Sequence, residues 1–143
     1  MKKKSFKIVL ISLSFVFILS SCSLTSKEEF ELQGQVYLEQ LTSELKKIND
    51  LNELKHKKNK LAKNFNRITQ LMISYHLFLE KYPQVSPSPC DTLALSASAV
   101  KSELLRLFEI EGAREVIIGA EKEAYLKLTL MEESFSREKK ERL

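Results

Sequence analysis

All three prolines of this 143-residue chain, Pro83, Pro87 and Pro89, fall between Tyr82 and Cys90. Proline has no amide hydrogen and its ring crowds the preceding helical turn, so no regular helix runs through such a stretch. The sequence on either side is rich in Leu, Glu, Lys and Ala, which lose little freedom in a helix. The prolines therefore divide the chain into two long helical arms, about 27–81 and 89–138.

In the first arm Leu38, Leu41, Leu45 and Ile48 recur at spacings of three and four, as do Leu61, Phe65, Ile68, Met72, Tyr75 and Leu79. This is a heptad-like apolar seam. The two runs differ in phase, and joining them through Leu51, Leu54 and Lys58 takes an extra step of three. Asp50 and Glu53, which match a helix-starting capping box, stand at the slip. The arm is either one overwound helix or two helices jointed near Asn49.

The second arm is expected to open with Ser88 as N-cap and Pro89 as first helical residue. Leu93, Ala97, Val100, Leu104 and Leu107 keep the three-four rhythm. After another shift in phase Ile110, Ala113, Ile117, Ala120, Ala124, Leu128, Met131 and Phe135 continue it. Gly112-Ala113 and Gly119-Ala120 recur seven residues apart, and small residues on one face let a partner helix approach closely. The competing reading of Val116-Ile117-Ile118 as a strand leaves that strand with nothing to pair with.

The fold class that follows is all-α, either a long antiparallel helical hairpin turning at the prolines or a jointed three-helix bundle. Fifty residues at 1.5 Å each would make a hairpin roughly 75 Å long. Phe108 and Ile118 lie off its main stripe, so a bundle or self-association is needed to cover them.

The first residues ask for separate treatment. Lys2, Lys3, Lys4 and Lys7 precede an apolar run from Ile8 to Leu19. Twelve residues reach only about 18 Å as a helix, short of the roughly 30 Å a membrane span needs. The run reads as a signal peptide. It ends in Leu19-Ser20-Ser21-Cys22, which resembles the lipobox of bacterial lipoproteins over about the first 22 residues.

That resemblance implies cleavage between Ser21 and Cys22, with diacylglycerol on the Cys22 thiol and often a further chain such as palmitate on the new amino terminus. Two or three acyl chains hold a protein at a membrane where one would not. In the Gram-negative members an aspartate after the cysteine favours inner-membrane retention. In a Gram-negative host Ser23 at that position implies the cell outer membrane, with the domain facing the periplasm or the cell exterior. The expected organisation is 1–21 signal peptide, 22–26 lipidated N-terminus and tether, 27–138 helical domain with its turn at 82–90, and 139–143 polar tail.

Cleavage also removes the charge imbalance. Four of the 23 basic residues precede Cys22, leaving 19 against 19 acidic residues and a neutral mature chain, so a nucleic-acid partner is not expected. What charge asymmetry remains is local. Lys55, Lys57, Lys58, Lys60, Lys63 and Arg67 crowd one stretch, a candidate basic face for anionic lipid or an acidic partner. The competing expectation is neutralisation by Glu109, Glu111, Glu115, Glu121 and Glu123 of the second arm.

Cys90 is the one thiol beyond Cys22, a candidate for an intermolecular disulfide in an oxidising compartment or a small residue tucked under the loop. His76 and Glu80 lie one helical turn apart, but no third ligand stands at a supporting distance, and His56 sits among lysines. No metal site and no cofactor are expected. No phosphate loop and no nucleophile-base order occurs, so the chain is not expected to be an enzyme.

The reading is a membrane-anchored helical structural or protein-interaction component of the bacterial envelope, its proline turn projecting away from the bilayer toward an envelope partner or a second copy. The alternatives are a lipid- or small-ligand-binding lipoprotein and an assembly-chaperone or exclusion-type accessory lipoprotein.

Overall fold

A computed structural model describes residues 24–87 and 90–141, with side chains through Arg137. The signal segment, Ser21, Cys22, Ser88 and Pro89 lie outside the described residues. The fold is all-α: α1 (Lys27–Lys46), α2 (Leu51–Lys81), α3 (Asp91–Phe108) and α4 (Ala113–Glu141).

Each boundary has a local cause. Ser26 caps α1, accepting from the Glu29 amide at 3.2 Å while the Glu29 carboxylate receives the Ser26 amide at 3.2 Å, a complete capping box. Asp50 caps α2 by accepting from the Glu53 amide at 2.8 Å, and Glu53 reaches back to the Asn49 amide at 2.7 Å. The first arm is therefore jointed rather than continuous. At the other end of α2, Tyr82 precedes Pro83 and leaves the helical region.

The second arm departs from expectation at both ends. Its first helix begins at Asp91 with Cys90 in the N-cap position, two residues later than Pro89 would have placed it, and the Ser88 cap falls outside the described residues. At the far end α4 runs through Glu141, so residues 139–141 of the expected polar tail are helical. The arm is also broken in its middle. Gly112 takes φ 79°, a left-handed turn that a side chain disfavours, and separates α3 from α4 at the second shift in phase.

Each arm folds back on itself at its joint. Phe30, near the start of α1, packs against Tyr75 and Phe78 near the end of α2, with ring centroids 5.3 Å apart in both pairs. The antiparallel hairpin thus forms twice, within each arm, and the two arms lie side by side in parallel. Contacting residues keep a constant difference in number, 61 for both Leu45 with Arg106 and Asn66 with Lys127, where antiparallel arms would keep a constant sum. Helix α1 packs along α3 and α2 along α4, while α2 and α3 do not touch. The proline loop therefore crosses one end of the bundle diagonally.

The core fills the joint end. Leu45, Ile48, Leu54, Leu61, Leu107 and Ile117 are fully buried. Ala113, Ala120 and Ala124 are buried too, and the most extensive pairing, α2 with α4, runs over these small residues. Of the helix pairs in contact, α3 and α4 share the least surface, and Ala97, read as seam, is exposed.

Candidate functional site

The parallel arrangement places the proline loop beside the tether. Leu24 and Thr25, just ahead of α1, line the same groove as Lys81 and Tyr82. The loop is therefore at the end from which the lipid would emerge, and the joints Lys47–Asp50 and Glu109–Gly112 form the distal end. The proline loop is thus not at the end of the bundle opposite Leu24, as a projecting tip requires, because an arm that turns back at its own joint brings its two ends together.

The groove runs along the seam between α1 and α2 and measures about 780 Å³. Its aromatic wall is continuous: Phe30 meets Phe78 at 5.3 Å, and Phe78 meets Tyr82 at 4.9 Å between centroids. Two cations lie over rings at its border, Arg67 over Tyr37 at 5.0 Å and Lys81 over Tyr82 at 5.3 Å. Leu77 opens onto it half-exposed. Sequence reasoning found Tyr75 but missed Phe30, Phe78 and Tyr82. Their three-, four- and seven-residue spacings were visible, but nothing local said that α1 and α2 would meet.

Behind this wall the tether end has a polar interior. The Lys27 ammonium lies 3.6 Å from the Glu31 carboxylate. Among the described residues, Glu31 Oε1 and the Tyr75 hydroxyl are buried without a hydrogen-bond partner. Burial pushes the Tyr75 phenol above its ordinary range, with Glu31 and Glu28 adding to the rise and Lys27 opposing it.

The six basic candidates do not share one face. Lys60 pairs with Glu44 at 3.0 Å, and that hydrogen bond is the main reason the Glu44 carboxyl is held below its ordinary range. Lys57 donates to the Lys47 carbonyl at 3.4 Å, and Lys58 lies over Gly119, its Nζ 2.8 Å from where a Cβ would stand. Lys55, Lys63 and Arg67 are exposed and make no ion pair among the described residues. The expected neutralisation is not seen, since none of the six pairs with Glu109, Glu111, Glu115, Glu121 or Glu123. Glu123 is instead held low by Lys127 and Asn66, while burial alone pushes the Glu121 carboxyl up.

Cys90 is half-buried with its Sγ 3.1 Å from Thr92 Oγ1. The His76 ring packs on Phe135 at 4.3 Å and so helps fasten α2 to α4, while its Nε2 lies 3.9 Å from Glu80 one turn along the same helix. His56 Nδ1 lies 2.8 Å from the Asn52 carbonyl oxygen. Among the described residues no three His, Cys, Asp or Glu side chains converge on a metal position, and no helix is long and apolar enough to cross a membrane.

No family model, curated protein or solved structure matches the chain, so the site is read from its own geometry.

Proposed function

We propose that the mature chain is a bacterial lipoprotein, anchored through acyl chains on Cys22, that serves as a helical protein-interaction or structural component of the cell envelope, with the outer membrane as its home in a Gram-negative host. One observation carries the interaction reading. The second hairpin leaves Leu105, Ile118, Tyr125, Leu126 and Leu130 between 54% and 72% exposed. Isolated surface apolar residues are ordinary, but several on one hairpin mark a surface that another protein covers.

A photoreactive residue replacing Tyr125 in the anchored protein, expressed in its native cells, tests this. A discrete adduct with one protein, a second copy or a distinct envelope component, is the expected result. Adducts with lipid alone, or none, would contradict the reading. The groove between α1 and α2 supports a second reading, a lipoprotein that binds a small amphipathic ligand there, since its volume lies within the range of ligand sites. Native mass spectrometry of the purified protein decides it: a stoichiometric bound small molecule supports ligand binding, and a bare chain opposes it.

A further inference from the structure

The charge of the mature chain is concentrated on one helix. Although the whole is neutral, α2 alone holds seven Lys or Arg against two Asp or Glu, and no acidic residue occurs between Glu53 and Glu80. Of the acidic residues on the helices that pack against α2, Glu123 lies in a groove with Lys63 and Arg67 but is ion-paired with Lys127 at 2.7 Å, and Glu44 pairs with Lys60 and Lys47. Lys63, Arg67, Gln70, Ser74, Leu77 and Lys81 follow one another at steps of four, three, four, three and four, and all are exposed. These steps keep them on a single stripe. Its cations, Lys63, Arg67 and Lys81, have no carboxylate within ion-pair distance among the described residues.

The stripe borders the groove that Leu24 lines. Only Ser23 separates Leu24 from Cys22, a reach of about 7 Å even when extended. An acyl anchor on Cys22 would therefore hold this side of the bundle, rather than its opposite side, against the bilayer. Tyr82 and the half-exposed Leu77 at the tether end are side chains suited to the headgroup boundary, with lysine and arginine reaching to phosphates.

We propose that the outer stripe of α2 is a docking surface for anionic lipid headgroups, so that the bundle lies along the bilayer instead of standing on its tether. This rests on the lipoprotein reading. A bilayer fits better than an acidic protein because the stripe borders the groove that Leu24 lines, and because its cations are exposed and spread singly along the helix rather than gathered at one spot. Each basic side chain brought to an anionic surface strengthens attachment about fivefold, so the three cations together favour the lying state roughly a hundredfold.

The test uses the mature lipidated protein, reconstituted in vesicles of phosphatidylcholine with or without one third phosphatidylglycerol. A fluorophore is placed by Ser74→Cys or, as control on α3, by Ser102→Cys, each with Cys90→Ser, and the vesicles carry a headgroup-attached quencher. The expected result is severalfold stronger quenching at position 74 than at 102, only with phosphatidylglycerol, and reversed by salt or by Lys63→Gln with Arg67→Gln. Equal quenching at both positions, or quenching indifferent to lipid charge and salt, overturns the proposal. So does protection of position 74 that appears only when an acidic envelope protein is added. The salt titration needs no charge variant, so a misfolded double variant leaves the test intact. Protein that fails to remain with the vesicles at all refutes the anchor, whereas protein that remains but shows no contact at position 74 refutes only the docking surface.

Discussion

Arg106, at the end of α3, donates through Nη1 to the carbonyl oxygen of Ile48 at 3.1 Å and through Nη2 to that of Leu45 at 3.0 Å. The last carbonyls of a helix have no partner within it; that of Leu45 accepts from the Ile48 amide at 3.0 Å, and Arg106 adds a charged donor to it from the other arm. The same contact locks the two joints together. Arg106→Met keeps the stem and removes the donors, and is expected to lower stability by about 1–2 kcal/mol in urea unfolding. An unchanged midpoint would show that water replaces the guanidinium without cost.

Two glycines on the same face have opposite requirements. At Gly112 the backbone is left-handed and a Cβ would stand 3.3 Å from Leu51, so Gly112→Ala should cost about 1–2 kcal/mol. At Gly119 the obstacle is only the mobile end of Lys58, and alanine is the better helix former. Gly119→Ala should therefore be neutral or stabilising by up to about 1 kcal/mol. Thermal unfolding of both variants checks the sign of each; the same sign for both would contradict the joint as described.

The helices and most of the inward positions were legible because periodicity is local: Leu41, Leu45, Ile48, Leu107 and Ile117 all lie where the three-four rhythm places them. The joint near Asn49 was legible too, through Asp50 and Glu53. The pairing of the arms was not. Parallel and antiparallel packing bury the same seam, and the choice is made by the turn-back at both joints, of which the second rests on Gly112, whose positive φ no pattern of apolar residues reveals. The proline loop was misplaced, and the meeting of Phe30 with Phe78 and with it the groove were hidden, because the Asp50–Glu53 cap marks a joint without saying that α2 turns back along α1.

Tyr75 offers a test of the polar interior at the tether end. Its hydroxyl is buried without a partner among the described residues, while its ring packs on Phe30. Tyr75→Phe removes the unmatched group and keeps the packing, so it is expected to raise stability by about 1 kcal/mol. A loss of stability would reveal a hydrogen bond on that hydroxyl.

Acid dependence follows from four glutamates. Glu29, Glu44 and Glu123 are held below the ordinary 4.5 by hydrogen bonds, chiefly from the Thr25 amide, Lys60 and Lys127 respectively. A carboxyl with a lowered folded pKa stabilises above its unfolded value, and that contribution is lost as pH falls through the folded value. Glu121, raised by burial, acts in the opposite sense: its contribution is present at low pH and lost as pH rises through the folded value. The wild type should therefore weaken on acidification below about 4.5, and Glu121→Gln should gain stability at pH 7 but little at pH 4. Urea midpoints at the two pH values check this; an equal gain at both would contradict the burial of that carboxyl.

The address of the protein is the claim on which its function depends, and mass spectrometry of the membrane fraction tests it most directly. Trypsin should release an N-terminal peptide, Cys22 to Lys27, carrying the mass of diacylglycerol with or without a further acyl chain. The Cys22→Ala chain should give no such peptide and keep its leader. Cys22 recovered unmodified from the membrane-bound wild type, or a Cys22→Ala product processed and bound like the wild type, would contradict the account.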